Sequence, residues 1–134
     1  MLTVEVSRQT SGAITGLRAS GHAGWGPYGK DIVCAAASAI VQTAALAAVR
    51  YLGERAHLEA GEGLVALAVT SEPPAGGDGA TAWVKAQAVL EAALWGLDEI
   101  VKQYPKHVRI VERVEDGGER RDGQHRHGWT TGGR

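Results

Sequence analysis

The sequence predicts an α+β domain, in which a largely antiparallel sheet in the order β-β-α-β-β-α-β carries two helices packed on it. Three observations predict it. Short segments of period-two apolar alternation come in pairs separated by glycine turns, which is the pattern of β-hairpins. Two long segments between and after those pairs are helical in length and spacing. The chain has 134 residues, which suits one domain able to bury its own core.

Taken in order, Leu2, Val4 and Val6 alternate with Thr3, Glu5 and Ser7, so the first element is a half-buried strand. Gly12 marks a turn, and a second strand runs from Ala13 to about Ser20. The stretch Gly21-His22-Ala23-Gly24-Trp25-Gly26-Pro27-Tyr28-Gly29-Lys30 holds four glycines and a proline, so it is a loop. Asp31 precedes Ile32-Val33-Cys34 as a helix N-cap, its carboxylate accepting free backbone N–H groups. The helix runs to about Leu52, where Gly53 ends it. Cys34, Ser38 and Gln42 recur every fourth residue and form a thin polar stripe on an otherwise apolar rod.

Ala56–Ala60 and Leu64–Thr70 predict two more strands, turned by Gly61-Glu62-Gly63. Pro73 to Gly77 form a connecting loop. A second helix from about Gly79 to Gln103 presents Trp83, Leu90, Leu94, Leu97 and Val101 on one face, and Pro105 stops it. Val108 and Ile110 flank Arg109 in the closing strand. From Glu115 the pattern vanishes into Gly, Arg, Asp and His, which predicts a folded domain over 1–114 and a disordered tail over 115–134.

Composition excludes several function classes. The formal net charge is -1, so no long-range field draws the chain to nucleic acid or an anionic membrane. One cysteine permits no internal disulfide, and the N-terminus alternates rather than running apolar, so a cytoplasmic location is expected. Ile32 to Val49 is long and nearly apolar, but it is dominated by Ala and interrupted by Ser38, Gln42 and Thr43, which reads as a buried helix rather than a membrane span. There is no Phe, so Ala, Val and Leu fill the core and favour close helix packing. The first helix is apolar around more of its circumference than one sheet can cover, which predicts a homodimer.

Cys34 and His22 carry the candidate chemistry. A lone cysteine is commonly a core residue. Cys34, however, falls in a first helical turn, where the helix dipole favours a thiolate, and directly follows a glycine-rich loop. The negative charge of Asp31 acts against that thiolate, and a protonated histidine nearby would restore it. His22 opens the same loop, with enough chain between the two for the loop to turn back. A cysteine–histidine pair of this kind is the apparatus of nucleophilic catalysis. Backbone N–H groups at the helix start, that of Cys34 among them, are candidate oxyanion donors. The other histidines are weaker candidates: His57 alternates with Arg55 and Glu59 toward solvent, His107 precedes the last strand, and His125 and His127 lie in the tail. No metal is expected, because a zinc site needs three or four converging ligands. No phosphate-loop or dinucleotide pattern is present, and no cofactor is expected.

Gly21-His22-Ala23, Tyr28-Gly29, Asp31-Ile32-Val33-Cys34-Ala35-Ala36 with Ser38, and Gln103-Tyr104-Pro105 together resemble the signature of the ribosomal-processing cysteine protease family, Prp. The resemblance spans about residues 1 to 112 and includes the element order. It implies a homodimeric α+β fold and a cysteine endopeptidase that removes the N-terminal extension of large-subunit ribosomal protein L twenty-seven, cutting after a short hydrophobic, aromatic-ending segment. It implies His22 and Cys34 as catalytic residues, with Asp31 and Ser38 in supporting places and Asp31 either orienting His22 or capping the helix. It also implies a substrate loop containing Gly21, Gly24, Trp25, Gly26, Tyr28 and Gly29. The chain departs from the family in its tail after Glu115 and in Trp25-Gly26-Pro27. The rival reading is a non-catalytic, dimeric, ribosome-associated binding module, which would not need the His22 and Cys34 pair. A thiol redox protein is disfavoured by the lack of a second, resolving cysteine.

Overall fold

The computed structural model describes residues 1–70, 73–115 and 129–131. Strand β1 (Leu2–Gln9) and strand β2 (Ile14–Ser20) are followed by helix α1 (Ile32–Leu52) and a short 3-10 turn. Strands β3 (Ala56–Gly61) and β4 (Leu64–Val69), helix α2 (Gly77–Gln103), strand β5 (Val108–Glu115) and strand β6 (Trp129–Thr131) complete the described elements. The α+β class and the order through β5 are those the sequence predicts. The expected disorder of the tail falls outside the described residues except at two places. Glu115 ends β5, and Trp129–Thr131 pair with Val111–Arg113.

The strands lie in the order β3-β4-β2-β1-β5-β6. Every neighbouring pair is antiparallel except β1 and β5, which run parallel from Leu2↔Val108 to Gln9↔Glu115. Hairpins account for the antiparallel pairs next in sequence. The parallel pair arises because α2 carries the chain across a sheet face before β5 enters beside β1, as a crossover helix does.

Both helices pack on one face. The even positions Leu2, Val4 and Val6 of β1 and Val108 and Ile110 of β5 are buried beneath them. Leu90, Leu94 and Leu97 of α2 and Val33, Val41 and Leu52 of α1 meet them there. Ala37, Ala44, Ala45 and Ala48 of α1 and Ala86 and Ala93 of α2 are buried too, so small side chains let the helix axes approach closely. By length and composition α1 alone among the described residues could cross a membrane, but its buried row is committed to this core. At the end of the core row, Arg8 grips Glu91 of α2 through two hydrogen bonds of 2.8 and 2.7 Å and Glu112 of β5 at 3.3 Å. The opposite sheet face is polar: Arg109 donates to Thr3 at 3.1 Å and Arg113 to Ser7 at 3.1 Å.

Strands β2, β3 and β4 differ from the expectation by one residue at an end, and two elements differ by more. Helix α2 begins at Gly77 rather than Gly79, because glycines carry no apolar signal and the visible periodicity starts only at Trp83. Strand β5 continues past Ile110 to Glu115, where polar side chains find partners on β1 rather than burial.

Candidate active site

The loop between β2 and α1 divides into an anchored root and an open tip. At the root, Gly21 donates its N–H to the Gly63 carbonyl of the β3–β4 turn at 3.1 Å. Gly21 has φ +88°, and a Cβ there would stand 2.6 Å from the Met1 carbonyl oxygen, so only glycine fits. Ala23 is buried, and its carbonyl accepts a hydrogen bond of 2.9 Å from Nδ1 of His107. Trp25 lies edge-on to Tyr104, at the end of α2, with ring centroids 6.2 Å apart. At the tip, the Lys30 N–H closes a turn on the Pro27 carbonyl at 2.9 Å. Tyr28 is 80% exposed and donates its hydroxyl to Glu62 at 3.0 Å.

Asp31 joins loop to helix. Its Oδ1 accepts from the Cys34 N–H at 2.9 Å, and its Oδ2 accepts from Trp25 at 2.9 Å and Gly26 at 3.2 Å. Desolvation pushes this carboxyl up. The backbone N–H groups of Cys34, Gly26, Trp25 and Val33 outweigh it and hold the group below its ordinary value. In this geometry Asp31 is a helix cap and a loop tether. The Cys34 N–H donates to the Asp31 carboxylate, so the oxyanion-donor role expected of it requires that bond to be given up or shared.

Cys34 is half-buried in the first turn of α1, and Ser38 is half-buried one turn on. His22 is exposed at the mouth of the loop. Its ring packs edge-on against Tyr28 at 6.2 Å, and a Cβ added at Gly63 would lie 3.4 Å from its Nε2, so the β3–β4 turn forms a wall beside it. Among the described residues no hydrogen bond joins His22 to Cys34 or to Asp31. Thiol and imidazole are therefore held at the two ends of one loop, and the wall beside the imidazole comes from the Gly63 turn.

Sequence reasoning missed His107, Glu62 and Tyr104 as neighbours of this loop. Only Tyr104 carried a signal, as part of a family motif. His107 reaches Ala23 across 84 residues of chain, a distance that no local pattern reveals.

The comparisons with known proteins agree with one another. The profile of the family described as cysteine protease Prp matches residues 1–109. The ribosomal processing cysteine protease Prp of Staphylococcus aureus (strain Mu50 / ATCC 700699) is 29% identical over 110 residues, covering 82% of this chain and 97% of the relative. A crystal structure of the essential ribosomal processing protease Prp from S. aureus, in complex with a covalently linked product peptide, superposes with a TM-score of 0.68 at 28% identity, covering 82% of this chain and 97% of that one. A second structure of that protease, in complex with a substrate peptide, gives a TM-score of 0.65 at 27% identity, with 84% and 99% covered. This chain therefore belongs to the cysteine protease Prp family and is a cysteine peptidase.

Proposed function

We propose that Cys34 is the nucleophile and His22 its base, and that the protein cuts the N-terminal extension from ribosomal protein L twenty-seven in the cytoplasm, as a homodimer. The observation that carries the reading is the shared tether. Asp31 holds the Cys34 amide with one oxygen and, with the other, the loop residues that follow His22. Such a tether fixes both ends of the loop that carries the nucleophile and the base, and cysteine–histidine contacts are commonly looser before substrate binds.

In the reaction, His22 takes the proton from Sγ of Cys34, and the thiolate attacks the scissile carbonyl carbon. The C–N bond breaks as imidazolium returns the proton to the leaving amine. Water, deprotonated by His22, then attacks the thioester and frees Cys34. Release of the exposed Tyr28–Glu62 hydrogen bond lets the glycine-rich tip fold over a bound peptide and lets the His22 ring turn toward Sγ. Trp25 and Tyr28 supply apolar surface for the hydrophobic residues before the cut. Ser38 offers a polar contact beside the nucleophile.

The test is incubation with ribosomal protein L twenty-seven carrying its extension, read by mass. Wild type shortens it, whereas Cys34→Ala and His22→Ala lose activity by about 10³-fold or more, as removal of a catalytic pair member does. Equal cleavage by wild type and Cys34→Ala overturns the assignment. Wild type that leaves the extension in place overturns the substrate reading.

A further inference from the structure

His107 stands where three parts of the chain meet. Its N–H donates to the Tyr104 carbonyl at 3.0 Å in the turn that ends α2. Its carbonyl accepts the Leu2 N–H at 2.9 Å, at the start of β1. Its ring leaves this frame and reaches the Ala23 carbonyl at 2.9 Å. A carbonyl oxygen only accepts, so Nδ1 carries the proton in that contact. Of the two neutral tautomers, the Nδ1–H form is the one that makes this contact.

Ala23 follows His22, and Gly21 precedes it. On the near side, Gly21 is held by the Gly63 carbonyl and by its close approach to Met1. On the far side, the polar tie of Ala23 to the framework is the His107 ring. His22 itself is exposed, with one edge-on ring contact to Tyr28 in the open tip. Among the described residues no hydrogen bond holds the ring, so beyond its contacts with Tyr28 and the Gly63 turn its placement comes through the backbone at its two flanks. Small displacements of a catalytic group carry large rate penalties, since ~1 Å can cost about 100-fold.

We propose that His107 is a positioning residue for the peptidase reaction: it fixes the backbone after His22 and so sets where the imidazole sits relative to Cys34. The inference rests on His22 being the base. His107 touches neither substrate nor sulfur, so its loss lowers turnover without weakening peptide binding.

The test compares wild type with His107→Ala, His107→Leu, which fills the space without a donor, and His107→Asn, whose side-chain N–H can take the place of Nδ1. With L twenty-seven carrying its extension as probe, kcat falls about tenfold or more in the Ala and Leu variants while KM stays within about twofold, and Asn recovers most of the loss. In parallel, nitrogen NMR of wild type at mildly alkaline pH finds Nδ1 of His107 protonated. The His22 ring signal sharpens or broadens with the donor: single and sharp in wild type and Asn, broadened in Ala and Leu. An unprotonated Nδ1, or a donorless variant with unchanged kcat and an unchanged His22 signal, overturns the proposal. If His22→Ala cleaves as wild type does, the base assignment fails and this proposal fails with it. If wild type does not cut the probe, the substrate reading alone fails, and the tautomer and His22 signals decide the role of His107.

Discussion

Asp31 shows how one carboxylate can hold two structures at once. Replacing it with Ala removes the cap from α1 and the anchor of Trp25 and Gly26 together, with an expected cost of about 1–2 kcal/mol. Asn keeps one acceptor oxygen, so Asp31→Asn restores most of the stability if that oxygen faces Cys34, while leaving the Trp25 and Gly26 amides open to hydrogen exchange. The pH dependence follows from the lowered carboxyl. Its folded value lies below the unfolded value of about 3.9, so its contribution is fully present above that value and is lost as pH falls through the folded one. The melting-temperature gap between wild type and Asp31→Ala should hold constant from about pH 5 to 8 and begin to narrow as pH falls below about 4; a gap that opens in acid contradicts the tether. The cap was legible because N-cap chemistry is local, with Asp31 standing next to the helix it starts. The second oxygen was not, because its use depends on how the loop folds back. His107 was illegible for the same reason, and the sequence reading ranked it among the weaker histidines.

At the scale of elements, the apolar alternation of Leu2, Val4 and Val6 and the spacing of Leu90, Leu94 and Leu97 announced strand and helix plainly, because both are repeated and local. Pairing was less visible. The hairpins pointed to antiparallel neighbours, and nothing near Val108 announced that β5 would lie parallel to β1. The end of β2 supplies a prediction. Gly21→Ala places a Cβ against the Met1 oxygen in left-handed backbone, and the combined strain should destabilise by about 3 kcal/mol. Urea unfolding checks it, and a loss under about 1 kcal/mol would show that this corner relaxes freely. Activity should fall further than stability, since the shift reaches His22 directly.

At the scale of the whole molecule, the two-layer fold leaves one helix surface uncovered. Ala39, Ile40, Thr43 and Val89 line a groove of about 390 Å³ between α1 and α2, and Trp95, Val84 and Leu46 on the same helices are 67%, 65% and 54% exposed. An apolar surface of this kind supports the proposed homodimer. Trp95→Glu should convert a dimer to a monomer in size-exclusion chromatography with light scattering; a wild type that is monomeric at tens of micromolar protein counts against the dimer. The parallel β1–β5 pair bears on something else, the order in which the enzyme can come into being. Strand β1 leaves the ribosome first yet sits inside the sheet, and its β5 neighbour arrives about a hundred residues later, bringing His107 at its threshold. Pairings so distant in sequence form late and slowly. A nascent chain can thus hold Cys34 and His22 without a framework to set them until β5 emerges. The peptidase would stay inert until that late strand has paired with β1.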